Sequence, residues 1–168
     1  MTTAGQDEIV VGVDGSAASA AALRWGLAEA RASGRTVVTL RAWTFGPLRD
    51  LEPAAGRPPA EIAARFQREL DTMAATVRAE GEPVPLRTGT IEGAPGPALV
   101  RASAGAAMLV LGSHGHSRVL RMLVGSVSAY CLRQSRCPVV IVPARSAEER
   151  EPLPEDETAD TYYPGPLL

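Results

Sequence analysis

Four residues carry most of the chemistry open to this chain: Gly112, Gly115, Gly125 and Ser126, spaced G-x-x-G, nine residues, then G-S, within VLGSHGHSRVLRMLVGSV. Glycine lets a backbone approach a phosphate with no side chain in the way. The last pair stands where a helix is predicted to begin. There, unpaired amides and the positive end of the helix dipole favour an anion. Ser126 reads as the N-cap of that helix, and capping and phosphate binding use the same helix end. Val127 is expected to offer its backbone N–H and Ser128 a second hydroxyl, while Ser113 lies between the first two glycines. Singly each glycine reads as a turn residue. Jointly, at this spacing, they predict a cradle for a phosphate and a ribose.

Asp14 closes an apolar run and precedes Gly15. It reads either as a turn residue bonded to its own backbone or as an acceptor for a ribose hydroxyl or an adenine amine. Arg118 and Arg121 lie inside the glycine loop and could lean over phosphates as planar donors, although exposed arginines usually do nothing so specific. His114 and His116 form H-x-H in the same loop. With no third ligand and no partner for a general base, they predict neither a metal site nor a catalytic centre. Two common nucleotide motifs are excluded. A P-loop needs Gly-Lys-Ser/Thr, and this chain contains no lysine. The dinucleotide fingerprint should follow the first strand, where Gly12-Val13-Asp14-Gly15 does not match it.

The elements that must position these residues alternate. Residues 8–14, EIVVGVD, read as a central strand buried on both faces. Ser16 caps a helix whose apolar positions Ala20, Leu23, Leu27 and Ala30 recur at steps of three and four, and Gly34 stops it. A strand follows over residues 36–43, then a Gly- and Pro-rich loop over 44–59. The next helix starts at Pro58 or Pro59, buries Ile62, Phe66, Leu70, Met73 and Val77, and ends at Gly81. A third strand over 86–91, a turn over 93–97 and a short helix over 98–104 lead to a fourth strand at 108–111. Beyond the glycine loop come a helix near 127–134 and a fifth strand at 138–142. Strands alternating with helices predict an α/β fold, a Rossmann-like, doubly wound five-stranded parallel sheet in a single domain. Ligands of such sheets bind beyond the carboxyl ends of the strands.

The chain has 168 residues and a net charge of −2, unevenly placed: sixteen arginines against twelve acids through Arg145, then one arginine against seven acids. Residues 144–168, acidic and proline-rich without periodicity, are expected to form a flexible tail, as residues 1–7 are expected to form a flexible N-terminus. The body's mild positive balance suits a small anionic ligand. It lacks the dense basic clusters with interleaved aromatics that predict nucleic-acid binding. Neither a leader peptide nor an apolar span of about 20 residues is apparent, and only Cys131 and Cys137 occur, which reads as a cytoplasmic protein with free thiols and no membrane partner.

Met by Gly112, Gly115, Gly125 and Ser126, the glycine spacing resembles the nucleotide-binding signature of the universal stress protein family, in its ATP-binding subclass. The likeness covers residues 8–143, the expected domain. It implies strand order 3-2-1-4-5, and it implies that Asp14 lines an adenine nucleotide pocket flanked by Val13, with Ala42 at the small apolar position against adenine. It further implies ATP, or AMP or ADP, with Mg²⁺ as cofactor, a homodimer through the last strand, and a nucleotide-responsive binding module in the stress response. The alternatives are a slow ATP hydrolase or phosphotransferase, and an interaction protein with a non-binding pocket. Residues 106–108, Ala-Ala-Met, depart from the acidic residue that family members often carry there, a difference at the strand entry.

Overall fold

The computed structural model describes residues 4–44, 58–114 and 124–143. Its elements run β1 (Glu8–Gly12), α1 (Ala17–Ser33), β2 (Thr36–Trp43), α2 (Pro59–Arg78), β3 (Leu86–Glu92), α3 (Pro95–Ala102), β4 (Met108–Gly112), α4 (Ser126–Gln134) and β5 (Val139–Val142). All strand pairs are parallel and the order is β3-β2-β1-β4-β5. The five-stranded, doubly wound sheet is the expected one.

Period-two alternation in β1 explains the layering. Ile9, Val11 and Val13 enter one core with Leu23 and Leu27 of α1 and Leu70, Ala74 and Val77 of α2. Val10 faces the other way and joins Leu99 of α3, Leu109 and Leu111 of β4, and Cys131 of α4. Ile9, Val10 and Val11 are fully buried, as a strand covered on both faces must be.

The helix ends follow local chemistry. Ser16 Oγ accepts from the Ser19 amide at 3.2 Å, and Gly34 takes the left-handed conformation, φ 68°, that stops α1. Helix α3 begins three residues earlier than expected, because Pro95 and Pro97 fall in its first turn, where a missing N–H leaves no hydrogen bond unmade. In α1 Leu23, Leu27 and Ala30 are buried as expected, joined by Ala18, Ser19, Ala22 and Gly26 while Ala20 is only half-buried, and in α2 Ala74 is buried while Phe66 and Met73 are half-buried. β1 ends at Gly12 and β5 begins at Val139, each shorter than the apolar run that signals it. Most of the loop expected at residues 44–59 lies outside the described residues, as do the tail, Gly115, His116, Arg118 and Arg121. Among the described residues no helix is long and apolar enough to cross a membrane.

Candidate functional site

The carboxyl ends of β1, β2 and β4 meet at one edge of the sheet. Gly12 pairs with Leu40 of β2 and with Leu111 of β4. Counting on two residues puts Asp14 level with Ala42 on one side and Ser113 on the other. Three residues singled out from separate parts of the sequence are thus brought side by side.

Each is held by its own chemistry. The Ser16 amide donates to Asp14 Oδ1 at 3.0 Å across Gly15, whose φ of 91° favours glycine. The turn role read for Asp14 is therefore present, and its carboxylate stays half-buried at the strand end. Val13 is buried, its side chain in the core and its amide donating to Leu40 O at 2.9 Å. Ala42 pairs with Ile91 and packs on the cluster of Ile91, Ala98 and Ala102, so its side chain faces the α3 layer.

The glycine stretch is built around packing as well as around exposed amides. Gly112 lies against the first turn of α1: a Cβ there would come within 2.8 Å of the Ala18 carbonyl carbon. Ser113 is buried, its amide donating to Val142 O at 2.8 Å and its hydroxyl 3.0 Å from His114 Nδ1. The Gly125 amide donates to Ser113 O at 2.6 Å, which clasps the two ends of the loop.

Gly125, not Ser126, is the N-cap of α4: its backbone is extended, its carbonyl accepts from the Ala129 amide, and no side chain caps the helix. Ser126 is the first helical residue and exposed, and Val127 follows it half-buried. The amides of Ser126, Val127 and Ser128 have no carbonyl one turn back inside the helix, which is what an anion at a helix start requires. The Ser128 hydroxyl is buried and donates to Gly112 O at 2.8 Å, seating α4 on the end of β4.

A cleft of about 360 Å³ opens beside Asp14 on the α2 side, lined by Val13, Gly15, Arg41, Glu69, Leu70 and Met73. Arg41 Nη1 donates to Glu69 Oε2 at 2.7 Å, and the guanidinium lies 4.3 Å from the Phe66 ring centroid. Sequence reading passed over Arg41 and Glu69. The available signal was parity: Arg41 falls on the same face of β2 as the buried Val37 and Thr39, where a charge needs a partner. Among the described residues no group of three His, Cys, Asp or Glu could hold a metal ion.

The family model described as the universal stress protein family matches residues 6–143. A universal stress protein of Mycobacterium tuberculosis is 31% identical over 134 residues, 80% of this chain and 47% of its own length. A second from that organism is 34% identical over 140 residues, 83% of this chain and 50% of its own. The chain thus spans about half the length of these relatives. Among solved structures, a universal stress protein in complex with cAMP superposes with a TM-score of 0.65 at 25% identity, over 84% of this chain and all of that one. The universal stress protein of Archaeoglobus fulgidus in complex with dAMP gives a TM-score of 0.57 at 22% identity, over 84% and 99%.

Proposed function

The chain belongs to the universal stress protein family, and on that premise we propose that it binds an adenine nucleotide at the carboxyl ends of β1, β2 and β4. The ligand is ATP, and the protein acts in the cytoplasm as a nucleotide-responsive binding module of the stress response, assembled as a homodimer through β5. The observation that carries the reading is the open first turn of α4, Ser126 to Ser128, seated on the end of β4 by the Ser128–Gly112 hydrogen bond, with β4 paired to the strand that Asp14 follows. Its amides take the phosphates, Asp14 takes a ribose hydroxyl or the adenine amine, and Ala42 offers a small apolar surface to the base. Gly115 completes the cradle. Mg²⁺ enters with the phosphates, since it keeps most of its waters and needs few protein ligands. Support for an adenine nucleotide comes from the relative solved with cAMP.

Titration calorimetry with ATP and Mg²⁺ tests this, on the native chain and on Ser126→Glu. A glutamate in the first turn suits the helix dipole, so the fold is kept, while its charge repels a phosphate. Micromolar binding, about −8 kcal/mol, lost in the variant supports the reading. No heat with the native chain overturns it. Competition by AMP separates recognition of adenosine from recognition of the triphosphate.

A further inference from the structure

The charges of this protein are segregated by sequence and, through the fold, by face. From residue 93 to residue 147 there are six arginines and no aspartate or glutamate. This stretch forms the whole α3–α4 layer, whose helices pack together with the Tyr130 ring closed onto Gly96. Both helices run from the carboxyl edge of the sheet to its amino edge, so their last turns share one end. Arg133 lies in the last turn of α4 and Arg136 in the turn before β5, whereas the Arg101 guanidinium of α3 reaches back to Gly93 at the carboxyl end of β3. Arg133 and Arg136 are exposed, with no ion pair among the described residues, and Leu132 beside Arg133 is 50% exposed. The candidate nucleotide site is at the opposite edge.

The complementary charge is on the same chain. Residues 146–168 hold seven acids and one arginine, beginning with Glu148, Glu149 and Glu151. They follow β5, whose last residue pairs with Gly112 at the carboxyl edge. To return along α4 to Arg133 and Arg136 the chain must cover the length of β5, roughly 13 Å at about 3.3 Å per residue. Four or five extended residues suffice, which brings Glu148 and its neighbours level with the arginines. The tether supplies an effective concentration on the order of millimolar, enough for contacts too weak to hold a separate peptide.

We propose that the acidic segment from Glu148 to Glu157 docks back along α4 onto Arg133 and Arg136, as an intramolecular cover of this basic helix end. The contact is electrostatic and opens with salt. It also opens when a more acidic partner competes for the arginines.

Amide NMR of the full chain tests it, at low salt and at ~0.5 M NaCl, where the screening length is roughly 4 Å. At low salt the amides of residues 148–157 should be shifted and broadened. High salt and the double variant R133E/R136E should both release them. Identical tail signals in native and variant chains at low salt overturn the proposal. So does a perturbation that grows with protein concentration, which means a second copy supplies the contact. Replacing Glu148, Glu149 and Glu151 by glutamine leaves the folded body untouched and should move the amides of Arg133 and Arg136. If those stay in place, the docking is excluded even where the arginine variant fails to fold.

Discussion

Gly112 and Ala18 are in backbone contact: a Cβ at position 112 would lie 2.8 Å from the Ala18 carbonyl carbon and 2.9 Å from its oxygen and its Cβ. The first glycine of the signature thus joins the end of β4 to the start of α1, and through α1 to Asp14. Its conformational freedom is not at issue, since only three glycines among the described residues have positive φ and Gly112 is not one of them.

Gly112→Ala should therefore destabilise the fold even without ligand. Backbone atoms cannot rotate away, so the overlap displaces α1 against β4 at a cost of about 1–3 kcal/mol. Urea unfolding of the apo chain measures it. An unchanged midpoint would mean that α1 shifts freely, and that Gly112 serves a ligand alone.

That contact also marks what the sequence could and could not reveal. Strand and helix order was legible because Ile9 to Val11, Leu109 to Leu111 and the α1 repeat announce their periods directly. The cap of α4 was not. Gly-Ser before a helix suggests serine as the cap, yet the Ser113 carbonyl holds the Gly125 amide and fixes Gly125 at the boundary, one residue earlier. Nor could local pattern show that Ser128 reaches back sixteen residues to the Gly112 carbonyl. The Arg41–Glu69 pair was hidden for the same reason: its partners are 28 residues apart and meet only once α2 lies on the sheet.

Cys131 makes a second test. It is fully buried in the α3–α4 core, and burial, with a smaller contribution from nearby Cys137, pushes its thiol from 9.0 up to about 11. Both cysteines are free. In the native protein an aromatic disulfide reagent near pH 8 should titrate the half-exposed Cys137 and reach Cys131 only after unfolding. Between pH 9 and 11 the unfolded chain loses this proton while the native chain keeps it. Stability attributable to Cys131 is therefore complete below pH 9 and falls by up to ~3 kcal/mol as pH rises through that window. Cys131→Ala should flatten that part of the pH profile of stability. Equal reaction of both thiols in the native state would contradict the burial.

The last prediction concerns β5. In its parallel ladder with β4, the amides of Leu109 and Ser113 donate to the carbonyls of Pro138 and Val142. Alternation then turns the backbone groups of Val139 and Ile141 to the open edge. A second copy pairing there would use those groups, while the Val140 side chain packs on the α1–α2 core. A polar substitution at Val140 would therefore disturb the fold together with any seam. Ile141→Pro is the cleaner probe, because it removes an outward N–H and leaves the β4 ladder intact. Sedimentation should find the native chain as a dimer and the variant as a folded monomer. A variant that remains dimeric would move the seam to another surface, and a monomeric native chain would remove the dimer from the proposal altogether.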